Sequence, residues 1–122
     1  MTSVTTRQQQ WARIAFEQVS SYIEKKDADK KKYRSFARSF PSLVHSCGLA
    51  QAIAFAQAKE KEERTILLEH LNKIIYKDTP GKKLEDKYLS TDVLDYIHLS
   101  RQVLDVAGWL KRYAEALIEE EK

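Results

Sequence analysis

The chain has 122 residues, of which 43% are hydrophobic and 32% charged, and its formal net charge is +3. That balance excludes a disordered chain and a membrane-embedded one, and the length suits a single domain over residues 1–122 built on one modest core. Three glycines and two prolines are too few to turn a β-sandwich, while the abundant Ala, Leu, Ile, Glu, Lys, Arg and Gln favour helix. The expected fold is therefore all-α, a compact bundle of five or six helices with a long C-terminal helix.

The predicted elements follow from hydrophobic spacing. The first helix runs from about Thr6 to Lys26, with Ala12, Phe16, Val19 and Ile23 recurring every three or four residues and Trp11, Ala15 and Tyr22 widening the stripe. Asp27 or Asp29 can cap a second helix over about Lys30 to Arg38, whose Tyr33, Phe36 and Ala37 point inward. Pro41 suits the first position of a third segment ending at Gly48, a left-handed cap. An alanine-rich helix then runs from Leu49 to about Lys59, and the charged cluster Lys59 to Arg64 is a solvated continuation or a short break.

Leu67, Leu68, Leu71, Ile74 and Ile75 mark another amphipathic helix that stops near Tyr76, and Lys77 to Leu89, with Thr79-Pro80-Gly81, reads as one long exposed loop. Ser90 or Thr91 is expected to cap the last helix, with Asp92 and Asp95 in its first turn. Two stripes run along it, Tyr96, Leu99, Val103, Val106, Leu110, Tyr113 and Leu117 beside Ile97, Leu104, Ala107, Ala114 and Ile118. A helix of nearly thirty residues would span about 45 Å, so it either organises the bundle or offers part of its length to a partner.

No catalytic or metal constellation emerges. His45 and Cys47 sit in an apolar segment with no acidic orienter near them in sequence, and the ordinary reading is a turn histidine and a buried thiol. His70 beside Glu69, and His98 three residues after Asp95, each supply two ligands where a zinc site needs more. Gly48, Gly81 and Gly108 are isolated, so no phosphate loop is present. The expectation is a protein with no enzymatic activity, metal or cofactor. No apolar signal core follows the polar residues up to Gln10, no apolar run approaches the roughly 18 residues that span a bilayer, and Cys47 has no partner for a disulfide. These features suit the cytoplasm and no membrane.

Charge is unevenly distributed. Residues 1–58 carry nine basic and four acidic side chains, whereas residues 59–122 carry twelve basic and fourteen acidic. Lys25, Lys26, Lys30, Lys31, Lys32, Arg34 and Arg38 face only Asp27 and Asp29. A lysine run is ordinarily solvated surface, but Lys30, Arg34 and Arg38 repeat every four residues along one helical face, with Tyr33 among them as a stacking group. Lys30, Lys31, Lys32, Arg34 and Arg38, with Lys111, are the candidate polyanion-binding residues. Helix-turn-helix lengths are also present around Gly48, but the segment Leu49 to Ala58 offers only two glutamines to base edges and reads better as packed core.

Two blocks carry a more specific signal, Phe40-Pro-Ser-Leu-Val-His-Ser-Cys-Gly-Leu-Ala-Gln-Ala-Ile-Ala-Phe-Ala-Gln-Ala-Lys59 and Gly108-Trp-Leu-Lys-Arg-Tyr-Ala-Glu-Ala-Leu117. In order and spacing they resemble the small subunit of the Cmr complex, the type III-B CRISPR effector that finds target RNA with a guide RNA. The resemblance covers about Trp11 to Glu119. It implies a helical binding subunit that packs beside copies of itself and against the backbone subunit, in an assembly that also holds the large subunit and follows the channel where guide and target RNA pair. Trp109, Arg112 and Tyr113 would then serve the core or a subunit interface. A stand-alone helical adaptor and a helix-turn-helix DNA-binding protein are the alternatives.

Overall fold

The computed structural model describes residues 6–26, 28–57, 61–87 and 92–119. Six helices appear among them, α1 (Arg7–Ile23), α2 (Lys30–Cys47), α3 (Leu49–Ala56), α4 (Glu62–Ile75), α5 (Leu84–Lys87) and α6 (Val93–Leu117). The long α6 lies against both α1 and α2, and α4 closes the bundle by touching α1, α2, α3 and α6.

A capping box starts α1. The Thr6 hydroxyl accepts from Gln9 N–H at 3.0 Å, and Gln9 Oε1 accepts from Thr6 N–H at 2.8 Å. The face that α1 buries is Trp11, Ala15, Val19 and Tyr22, the flank of the predicted stripe with only Val19 from its centre. Phe16 is 45% exposed, and Ala12 and Ile23 are half-buried. Rotation by half a stripe puts the larger Trp11 and Tyr22 inside, where apolar area removed from water counts most.

Helix α2 corrects the expectation of two segments. It is continuous through Pro41, although an interior proline forfeits a backbone hydrogen bond and costs about 3 kcal/mol. Tyr33, Phe36, Ala37, Phe40 and Val44 form one buried stripe across that position, and breaking the helix there would pull Phe40 and Val44 out of register with Tyr33 and Phe36. Its N-cap is Asp29, accepting from Lys32 N–H. Gly48 ends it at φ 85°, ψ 162°, a conformation open to glycine and more extended than the left-handed cap expected. Gly48 also begins α3 and brings no capping side chain, so Tyr96 serves α3 instead, its hydroxyl accepting from Ala50 N–H at 3.0 Å.

Helix α3 ends at Ala56 with Gln57 as its C-cap and α4 begins at Glu62 with Lys61 as its N-cap; the expected end near Lys59 lies outside the described residues. The predicted exposed loop is anchored. Leu84 within it is fully buried, and the Asn72 side chain clasps the segment by accepting from Leu84 N–H at 2.8 Å and donating to Glu85 Oε1 at 2.9 Å. Asp92, not Ser90 or Thr91, caps α6, accepting from Asp95 N–H at 2.9 Å; Ser90 and Thr91 lie outside the described residues.

At 25 residues, α6 is about 37 Å long. Its buried seam is Leu99, Val103, Val106, Ala107, Leu110 and Ala114. Ile97, expected in the second stripe, is exposed, as are Val93 and Leu94.

Candidate nucleic-acid interface

The two sides of α2 separate by chemistry. Inward, Tyr33 is fully buried, its hydroxyl joined to His70 Nδ1 of α4 by a 2.6 Å hydrogen bond, with the Tyr22 ring 4.9 Å away. Tyr33 therefore packs as core and offers no face to a base, contrary to the stacking role expected for it. Burial pushes its hydroxyl well above the usual phenol range, with Tyr22 adding to the effect. Burial likewise lowers His70 to about 4, helped by nearby Lys73 and Lys25, so the imidazole is neutral at pH 7.

Outward, Lys30, Lys31, Lys32 and Arg38 are exposed. Lys32 sits 3.8 Å from Asp29 with both side chains more than half exposed, an arrangement worth little energy and easily exchanged for another anion. Arg34 turns away and is half-buried, donating from Nε to the carbonyl of Ile118 at 3.2 Å. It thereby satisfies an orphan acceptor at the end of α6 and places a cation at the negative pole of that helix. Of the candidate cations on α2, Arg34 has this architectural bond while Lys30, Lys31, Lys32 and Arg38 are exposed.

Lys111 is half-buried on α6, next to Arg112 in sequence. Trp109 is half-buried as well, its Nε1–H donating to Gln8 Oε1 at 2.8 Å. Tyr113 stacks at 6.1 Å on one side of the indole group, the Arg112 guanidinium lies 5.3 Å from the indole centre, and Phe16 meets Tyr113 edge-on at 5.4 Å. These contacts fasten α6 to α1 at the boundary of the core.

Two features carried no local sequence signal. His70 reaches Tyr33 across 37 positions, a pairing visible only after α2 and α4 pack. Arg64, inside the cluster expected to be plain solvated charge, lies 3.7 Å from the centre of the Phe55 ring and donates from Nη1 to the Phe55 carbonyl at 3.3 Å. Phe55 itself is 44% exposed and stacks on Phe36 at 6.1 Å.

A second basic concavity of about 520 Å³ lies between α4 and the segment before α5, where Lys73, Lys77, Lys82 and Lys83 are offset by Glu69 and Glu85. His45 and Cys47 are both exposed in the last turn of α2, so the thiol is not buried as expected and the histidine belongs to the helix, not to a turn. Among the described residues no group of three or more His, Cys, Asp or Glu could hold a metal, and no helix is long and apolar enough to cross a membrane. Of α3, Leu49, Ala52, Ile53 and Ala56 are buried, leaving Gln51, Ala54 and Phe55 outward with no cation among them, a poor surface for reading DNA bases.

The family described as CRISPR-associated protein (Cas_Cmr5) matches residues 7–117. The CRISPR system Cmr subunit Cmr5 of Thermus thermophilus is 38% identical over 116 residues, covering 94% of this chain and 98% of that protein. The crystal structure of a CRISPR-associated Cmr5 family protein from the same species superposes with a TM-score of 0.83 at 34% identity, over 95% of this chain and 100% of the other. All six helices lie within the residues that the family matches, and the chain belongs to the Cmr5 family of CRISPR-associated proteins.

Proposed function

We propose that this protein is the non-catalytic small subunit of a type III-B CRISPR (Cmr) effector, packing beside copies of itself and against the backbone subunit along the channel that holds guide and target RNA. The observation that carries the RNA role is the outward surface of α2, where Lys30, Lys31, Lys32 and Arg38 are exposed on a helix whose opposite side is rigid core. A row of such surfaces neutralises phosphates and holds the duplex without reading its bases, which the guide already pairs. Subunit packing has its own support. Val93, Leu94 and Ile97 are exposed at the first turns of α6, with Leu94 at 72%, an apolar strip that a neighbouring subunit would cover.

The test uses the assembled complex. Lys30→Ala, Lys31→Ala and Arg38→Ala together are expected to weaken target-RNA binding and flatten its dependence on salt, by about 0.7 in logarithmic slope for each phosphate no longer neutralised, on the single-strand scale. Preference for the guide-complementary sequence stays the same. An unchanged slope in a complex of intact composition refutes RNA contact by this surface.

A further inference from the structure

Next to the α2 cations is a concavity of about 270 Å³ with Lys32, Ser35 and Ser39 on the α2 side, Phe55 and Arg64 opposite, and Phe36 and Glu63 completing the lining. A single exposed phenylalanine needs no explanation. Phe55 differs from that case because its ring is held on Phe36 and capped by the Arg64 guanidinium, which is tied in turn to the Phe55 carbonyl. A ring fixed in this way loses little side-chain entropy when something stacks on the pair; because the guanidinium lies over one face of the ring, its own flat outer face completes the stacking surface.

The polar lining specifies what would stack. The Ser39 hydroxyl donates to the Phe36 carbonyl at 3.1 Å, leaving its oxygen to accept; Ser35 is exposed and can donate or accept. Lys32 provides a cation at the edge, while the Glu63 carboxylate repels phosphate and accepts from N–H groups. A flat aromatic group with N–H edges therefore belongs inside and its phosphate outside, toward Lys32. That is the chemistry of an unpaired nucleotide in an RNA strand, stacked on an aromatic and an arginine.

We propose that Phe55 and Arg64 form a stacking platform for one unpaired RNA base, with Lys32 meeting its phosphate. The proposal rests on the reading that the α2 surface faces RNA, and it adds a site there that grips a base by its π-face without regard to sequence.

The experiment is target-RNA binding by the assembled complex, measured across salt concentrations, with thermal melts of the free subunit. Phe55→Leu keeps an apolar contact with Phe36 but removes the π-face. It is expected to leave the melting temperature and complex composition nearly unchanged, to weaken binding about thirtyfold, the middle of the range for one aromatic–base stack, and to leave the salt slope intact. Phe55→Trp is expected to retain binding. Ultraviolet cross-linking of the wild-type complex should yield an RNA adduct on Phe55. Unchanged binding by Phe55→Leu, in a background where the Lys30, Lys31 and Arg38 variant does flatten the salt slope, overturns the platform and leaves the RNA role standing. If neither variant alters binding, both fall. Failure of Phe55→Leu to enter the complex makes Phe55 a subunit contact and likewise overturns the platform.

Discussion

Two aromatic clusters flank α2, each combining aromatic rings with a basic side chain, and they differ in one respect, access to water. Tyr33, Tyr22 and His70 pack together in the core, where the Tyr33 hydroxyl and His70 Nδ1 satisfy one another, the Tyr22 hydroxyl donates to the Asp29 carbonyl, and the histidine is neutral. Phe36, Phe55 and Arg64 leave a ring and a guanidinium at the surface beside lysine and serine. Composition does not distinguish the two. Burial makes the first a structural device, since a sealed ring cannot meet a ligand, and the second a surface with stacking capacity to spare.

The largest expected effect tests the sealed cluster. Tyr33→Ala deletes a fully buried ring and should destabilise by about 3–5 kcal/mol, as large aromatic deletions do. Tyr33→Phe keeps the ring but leaves His70 Nδ1 without its partner, for about 1–3 kcal/mol. Denaturant melts check both, and a loss under about 1 kcal/mol for the alanine variant would mean that the ring is not core.

Next comes pH. The folded state holds His70 near 4, below its ordinary value of about 6.5, so the unfolded chain binds the proton more readily. His70 therefore adds stability above about pH 6.5, and that contribution is lost as pH falls toward 4, by about 3 kcal/mol in all. Melts of wild type and His70→Gln should show that this component of acid sensitivity disappears in the variant.

The smallest effect falls on the boundary between the sealed and open classes. Trp109 is half-buried and bonded to Gln8, so Trp109→Ala should cost about 2 kcal/mol, less than a fully enclosed aromatic. Thermal melts beside pull-down of the backbone subunit sharpen the comparison, because failed assembly with a loss below about 1 kcal/mol would make Trp109 an interface anchor.

Much of this was legible in the linear pattern. Apolar residues every three or four positions marked five of the six helices, and the charge count located the basic surface on α2. Legibility failed where a long-range contact outweighed a local rule. Pro41 signalled a helix start, but the buried stripe from Tyr33 to Val44 carries α2 through it. The turns around Thr79-Pro80-Gly81 form as read, yet Leu84 is drawn inside and clasped by Asn72.

By itself, then, the sequence determined the helical class, the amphipathic character of the helices and the family, because these depend on periodicity and residue order along the chain. Which aromatic would be sealed and which left open was decided only in three dimensions. Tyr33 and Phe55 each lie on an amphipathic helix with comparable neighbours. Tyr33 acquired its partner from α4 and Phe55 its guanidinium from Arg64, and those pairings exist only once separate helices have packed and excluded water from one site but not the other.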